Sequence, residues 1–206
     1  MIDSYNSRPR ANTTALGWAA RSWPGMEHVI VSVGPARITA DSQMILADGD
    51  LATVDYRIEC DVSWRFRRLD VTVRNAAGSS RMSLSVDEEG HWHRADAAQP
   101  LLEGCVDIDI DRTPFTNTLP VRRLAWLPGT PRDLDMAYVS IPDLSVRPVR
   151  QRYTLLSGSD DGEAMYRYES GDFRADLRLD ASGFVADYPG LWDRIWPAGP
   201  DEGASA

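Results

Sequence analysis

The sequence predicts an all-β protein: a strongly curved, mostly antiparallel β-roll or unclosed barrel with a short C-terminal helix. Apolar and polar residues alternate without interruption from Val54 to Phe66, and this period of two is typical of a half-buried strand. Other short apolar runs are separated by glycine-containing turns at regular spacing. That arrangement favours a meander, roll or barrel over βαβ units.

The alternating run 54–66 also predicts curvature. Its thirteen residues would span about 43 Å as one strand, whereas a usual strand has roughly five or six residues. We therefore expect it to bend or bulge within a curved sheet. Further strands are predicted at 28–33, 36–47, 69–74, 81–86, 91–94, 121–127, 136–141, 150–156, 165–169, 173–179 and 184–188.

The segment 189–196 is the predicted C-terminal helix. Leu191 with Ile195 and Trp192 with Trp196 form neighbouring pairs at helical spacing, and Pro197 would end the helix. We expect it to cap one opening of the roll.

Length and composition predict one domain. With 206 residues and 43% hydrophobic content, the chain can bury a substantial core. We place the domain at residues 13–199 and expect residues 1–12 and 200–206 to be disordered.

The charge balance excludes some partners. The formal charge is -9, from 31 acidic and 22 basic residues without a basic stripe, which argues against nucleic acid and anionic membrane surfaces. Every basic residue is arginine, whose planar fork of donors suits carboxylates, phosphates and sugar hydroxyls.

The N-terminal sequence predicts a cytoplasmic protein. Residues 1–27 contain no apolar core of a signal peptide, and no run approaches the length of a membrane span. Cys60 and Cys105 are therefore expected to be buried free thiols in a reducing compartment.

A row of carboxylates follows Cys105. In a strand, Val106, Ile108 and Ile110 would cover one face, and Asp107, Asp109 and Asp111 the other, with the carboxylates roughly 7 Å apart. Carboxylates in such a row repel one another unless cations pair with them, and Arg112, Arg122 and Arg123 lie in the same segment. Two interpretations stay open: an arginine-paired outer face, or a ligand or metal site.

The corner 113–120 follows the row. Two prolines fix φ, and the side chains of Thr116, Asn117 and Thr118 can form local hydrogen bonds. The corner is either purely structural or also presents these three residues to a polar headgroup.

These segments and their spacing resemble the bacterial family called putative glycolipid-binding proteins. The resemblance covers most of the chain, and the block 113–120 leading into Arg122 and Arg123 is its most specific part. It runs through residues 23–28, 56–60, 64–65, Gly90 with Trp92, 104–124, 151–153, 166–168 and 188–191. It implies a curved antiparallel β-roll, similar to periplasmic carriers that hold lipid inside an unclosed barrel.

Tryptophan and histidine supply the remaining candidates. Trp64, at the end of the long apolar face, and Trp92, between two histidines, are the best pocket candidates among seven tryptophans, because Trp suits sugar faces and headgroup boundaries. His91 and His93 share a strand face, but nothing forces His28 near them. No metal or cofactor is predicted.

The sequence therefore predicts a protein that binds an amphipathic small molecule, such as a glycolipid or another lipid, in the concave interior of the roll. The expected contacts are Trp64, Trp92, Asp107, Asp109, Asp111, Thr116, Asn117, Thr118, Arg122 and Arg123. One alternative is a carbohydrate-active or other hydrolase using the row Asp107, Asp109 and Asp111. Another is a scaffold without a ligand cavity.

Overall fold

The computed structural model describes residues 12–95 and 97–197. Of the two segments expected to be disordered, residues 1–11 and 200–206 lie outside the described residues, whereas Asn12 begins the first strand. The all-β class is confirmed, since the described residues form one fifteen-stranded sheet. Its strands are β1 (Asn12–Ala20), β2 (Gly25–Val33), β3 (Ile38–Asp48), β4 (Asp50–Cys60), β5 (Phe66–Asn75), β6 (Gly78–Val86), β7 (Trp92–Arg94), β8 (Ala97–Ala98), β9 (Asp107–Ile110), β10 (Pro131–Val139), β11 (Val146–Gly158), β12 (Ala164–Ser170), β13 (Phe173–Leu179), β14 (Val185–Tyr188) and β15 (Trp192–Trp196).

The sheet is a curled, unclosed roll. Its spatial order is β8-β7-β6-β5-β4-β3-β2-β1-β15-β14-β13-β12-β11-β10-β9, and every pairing is antiparallel except that of β9 with β10. A flat sheet of fifteen strands would be on the order of 65 Å wide. The chain nevertheless passes from β8 at one edge to β9 at the other through residues 99–106 alone. That link reaches about 30 Å at most, so the sheet must curl until its edges approach each other.

The segment 113–123, which we call the plug, lies inside the roll. It consists of a 3-10 turn (Phe115–Asn117) that runs directly into α1 (Thr118–Arg123), and residues 113–121 are buried. At its start Thr113 hydrogen-bonds Glu27 of β2, and farther along Asn117 hydrogen-bonds Tyr153 of β11. The plug therefore contacts both halves of the sheet.

The strand predicted at 121–127 is wrong, because its first residues belong to α1. Pro120 is the third residue of this short helix, where its missing N–H costs no intrahelical hydrogen bond. Val121 favours a strand by propensity, but it lies buried against the core, and burial outweighs the small difference in propensity.

The predicted C-terminal helix is also wrong. Residues 192–196 form β15, which pairs with β14 on one side and with β1 on the other. This strand joins the two halves of the sheet. The spacing of apolar residues in a segment of only eight residues does not distinguish a helix from a strand, and here backbone pairing on both sides decides.

The long strand predicted at 54–66 ends at Cys60. The Asp61 carboxylate accepts hydrogen bonds from the backbone N–H groups of Ser63 and Arg65 at 2.9 and 3.1 Å, and Trp64 has a left-handed φ of 64°. These contacts make a hairpin into β5. The run 54–66 is thus divided between two strands and the turn that joins them. β1 is a strand that the sequence analysis did not predict.

Candidate functional site

The carboxylate row lies inside the protein. Asp107 and Asp109 on β9 are 0% and 9% exposed, and Ile108 and Ile110 on the other face are equally buried. The outer-face interpretation is therefore wrong: Asp107 and Asp109 contact plug residues. The expected burial of Val106 is wrong too, because it precedes β9 and is 41% exposed.

Asp107 forms a buried ion pair with Arg123 at the end of the plug. Nε and Nη2 of Arg123 donate to Oδ2 of Asp107 at 2.9 and 2.7 Å. Burial raises the pKa of Asp107 to about 6, and the guanidinium of Arg123 opposes that rise. This confirms that at least one residue of the row pairs with arginine. The pair fastens α1 to β9.

Asp109 is held by hydrogen bonds from two directions. Thr116 of the plug donates to Oδ1 at 2.8 Å, and Gln151 of β11 donates to Oδ2 at 2.6 Å. Burial nevertheless raises the pKa of Asp109 to about 6, and the neighbouring charge of Asp111 adds to the rise. Burial also raises the pKa of Asp111. Asp109 and Asp111 are therefore neighbouring carboxyls that both have a raised pKa.

A third buried carboxyl, Glu27, anchors the plug and was missed by the sequence analysis. Ser42 and Tyr56 donate to its Oε1 at 2.8 and 2.7 Å, and Thr113 donates to Oε2 at 2.7 Å. Burial raises its pKa to about 7 despite these three hydrogen bonds. A signal was available, because Glu27 occupies the inward phase of β2 together with Val29 and Val31.

A cavity of about 450 Å³ opens beside the plug and the end of β9. Its volume is within the usual range for small-molecule sites. Its lining combines aromatic rings with a few convergent polar groups. The lining residues are Trp23, Asp109, Ile110, Asp111, Arg112, Thr113, Asn117, Tyr138, Arg147, Val149, Tyr168, Ser170, Phe173, Tyr188, Leu191 and Trp192.

Two aromatic groups wall this cavity. Tyr168, Phe173 and Tyr188 have ring centroids 6.0 to 6.4 Å from one another. Trp23 meets Trp192 edge to face at 5.5 Å. Tyr188 and Trp192 are 6% and 2% exposed, while Phe173 is 41% exposed. The walls therefore run from a buried floor to an open rim.

Arginines stand at the rim. The Arg112 guanidinium lies 4.8 Å from the centre of the Trp23 ring and 2.6 Å from Asp48. The exposed Arg147 lies over the Tyr138 ring at 4.9 Å. Stacking on an aromatic face holds a guanidinium in place while its edge stays free to donate.

The structure brings only some of the predicted site residues to the cavity. Asp109, Asp111 and Asn117 line it. Thr116 supports Asp109 from behind, and the hydroxyl of Thr118 is fully buried without a hydrogen-bond partner among the described residues.

The two predicted tryptophans do not line this cavity. Trp92 is 1% exposed and stacks on Phe66 at 5.2 Å. Trp64 is covered by Arg122, whose guanidinium lies 5.0 Å from its ring centre and donates to the Ser182 carbonyl. Both tryptophans are packing residues of the core, and Arg122 braces the plug against a hairpin.

Within the described residues, no three His, Cys, Asp or Glu side chains are arranged to hold a metal ion. His91 and His93 instead lie 3.3 and 3.5 Å from the exposed carboxylate of Asp87. Across residues 12–95 and 97–197, helix length and hydropathy rule out a membrane-spanning helix.

Comparison with known proteins supplies a family. Residues 15–194 match the model of a family described as putative glycolipid-binding. The crystal structure of a DUF1089 family protein from Pseudomonas aeruginosa is 31% identical, with a TM-score of 0.71 over 95% of this chain and 97% of that one. A β-barrel-like protein of domain of unknown function DUF1849 from Brucella abortus is 8% identical, with a TM-score of 0.48 over 91% of this chain and 95% of that one. No curated protein matches the chain.

Proposed function

Because the chain belongs to the putative glycolipid-binding family, we propose that it binds an amphipathic small molecule of the glycolipid class in the cavity beside the plug. One observation carries the proposal: an aromatic-walled cavity of about 450 Å³ converges on buried Asp109 and Asn117. Pockets of this kind, mostly apolar with a few placed polar groups, are the usual form of small-molecule sites.

The same cavity favours a binder over a solid scaffold. Polar side chains inside a packed core normally have their hydrogen-bonding groups paired within the protein. Here Asp111, Arg112 and Tyr138 also face open space at the cavity. A ligand with hydroxyl groups would pair with them and displace water.

Intrinsic fluorescence tests binding directly, because Trp23 and Trp192 line the cavity. Titration with short-chain glycolipids and alkyl glycosides below their micelle concentrations should change Trp emission saturably. Phe173→Ser should weaken binding about tenfold, since it removes an exposed aromatic wall worth roughly 1.4 kcal/mol.

Ile195→Ser is the matched control, because Ile195 is exposed to a similar degree, 44% against 41%, and does not line the cavity. It should leave affinity unchanged. Equal effects of the two substitutions, or no saturable change with any ligand of the panel, would contradict the proposal.

A second candidate is hydrolysis, favoured by the raised pKa of Asp109 next to Asp111. Alternate residues of a strand place carboxyls roughly 7 Å apart, a separation suited to inverting glycosidases. Against it, both oxygens of Asp109 already accept hydrogen bonds. A panel of aryl glycosides tests this candidate. If wild type releases product and the folded Asp109→Asn variant does not, hydrolysis would be favoured over ligand binding alone.

A further inference from the structure

Resting on the proposed function, we infer which half of the ligand enters: the cavity takes a sugar headgroup, and the alkyl chain stays outside. Three features of the described residues support this orientation: a filled interior, a hydrogen-bonding floor, and apolar side chains at the rim beside Arg112 and Arg147.

The interior beyond the cavity is occupied by the plug. Leu119 and Thr118 are 0% exposed, and Phe115 is 1% exposed with its ring centre 6.5 Å from that of Phe184. Arg123 closes the far end through its pair with Asp107. An alkyl chain that continued past the floor would have to displace these buried contacts.

The floor offers hydrogen bonds that an alkyl chain cannot use. Each oxygen of Asp109 accepts one hydrogen bond from the protein, although a carboxylate oxygen can accept two. The Asn117 amide donates one N–H to the Pro114 carbonyl, and its second N–H has no acceptor among the described residues. Sugar hydroxyls both donate and accept, so they would satisfy both groups at once.

The walls suit the other property of a sugar ring, its apolar C–H faces. Tyr168, Tyr188 and Trp192 present broad rings with polar atoms only at their edges. Rings of this kind can lie against a sugar face while the hydroxyls around the ring reach the floor. The site therefore matches a polyhydroxylated ring in both shape and polarity.

The apolar part of the rim suits the start of an alkyl chain. Phe173 is the most exposed apolar residue of the cavity lining, and Leu191, which also lines the cavity, is half-buried. These two residues can cover the first methylenes next to the glycosidic bond. Beyond them the chain would meet solvent, or the membrane or micelle from which the lipid is presented.

Chain length separates the two orientations. Ethyl and octyl β-glucoside, with the matching galactosides, mannosides and maltosides, would be titrated calorimetrically into the full chain below the micelle concentration, alongside octanol. Burying each methylene would raise affinity about fourfold, so six would give a more than thousandfold gain. We expect octyl and ethyl forms of the preferred sugar to differ by less than about tenfold, and octanol not to bind.

Three results have distinct meanings. If the octyl form bound more than about tenfold more tightly than the ethyl form, or octanol bound as well as the octyl glycoside, the orientation would be overturned and the proposed function would stand. Binding of no glycoside in the series would reject both. Phe173→Ser should lower octyl affinity more than ethyl affinity, whereas Asp109→Asn should lower both equally; the reverse pattern would also overturn the orientation.

Discussion

The hydroxyl of Thr113 donates a 2.7 Å hydrogen bond to Oε2 of Glu27, a residue 86 positions earlier in the chain. The same hydroxyl accepts a hydrogen bond from the backbone N–H of Phe115 at 3.0 Å. One side chain thus starts the first turn of the plug and ties it to β2. The wall of the cavity that the plug provides depends on this contact, because Thr113 and Asn117 line the cavity together.

Thr113→Val should destabilise the fold by about 1–3 kcal/mol, since it keeps the shape and leaves a buried carboxylate with one donor fewer. Urea unfolding at pH 7.5 would measure the loss. Thr14→Val is the control, because Thr14 is an exposed strand residue whose replacement should stay within about 0.5 kcal/mol. A neutral effect at position 113 would show that the plug is held by other contacts.

Glu27 should make stability depend on pH. Its pKa is raised to about 7 in the folded protein from an ordinary 4.5, so protonation favours the folded state. Protonated Glu27 contributes up to about 3 kcal/mol to the free energy of unfolding. This contribution is fully present below about pH 4.5 and is lost as the pH rises through 7. Glu27→Gln cannot titrate. The free energy of unfolding of wild type relative to this variant should therefore fall between pH 5 and pH 8, and a constant difference would contradict the buried carboxyl.

Arg123→Ala should cost about 3–5 kcal/mol at pH 8, because it leaves the fully buried Asp107 carboxylate without its cation. The cost should shrink at pH 5, where Asp107, with a pKa raised to about 6, takes up a proton. Arg68→Ala removes an exposed pair with Asp70 and should cost less than about 1 kcal/mol. Equal costs for the two arginines would mean that the buried pair does not hold the plug.

Gly183→Ala should be more harmful than Gly171→Ala. Both glycines have left-handed φ values, 77° and 58°, but an added methyl at Gly183 would lie 2.6 Å from Cδ of Arg122, whereas nothing lies within 4 Å at Gly171. Arg122 cannot move freely, since it stacks on Trp64 and donates to Ser182. We expect each change to cost about 1–3 kcal/mol for backbone strain, with about 1 kcal/mol or more added at Gly183 for overpacking.

Thermal or urea unfolding of both glycine variants would measure this difference. In an Arg122→Ala background the extra loss of stability at Gly183 should disappear, because the side chain that the added methyl would crowd is gone. An excess that persists would place its cause in the backbone of the hairpin instead.

Much of the fold could be read from local pattern. Alternation and glycine turns determined the all-β class and most strand positions, since a strand with one buried face fixes its own period. The same reasoning placed Asp107 and Asp109 on one face of a strand. It also drew attention to the segment 113–120, which proved to contain most of the plug.

What the sequence could not decide was which surface each face meets. Alternation alone leaves open whether Asp107 and Asp109 line an outer face or a ligand site. In the structure the plug covers both, and Arg123, Thr116 and Gln151 pair with them. Residues 192–196 form β15 because their backbone pairs with β14, just before them in the chain, and with the distant β1 on the other side. The cavity likewise gathers Trp23, Asp109 and Tyr168 from remote parts of the chain. Local pattern determines the period and polarity of a segment, but burial and pairing depend on neighbours far away in sequence, and only the tertiary structure brings those neighbours together.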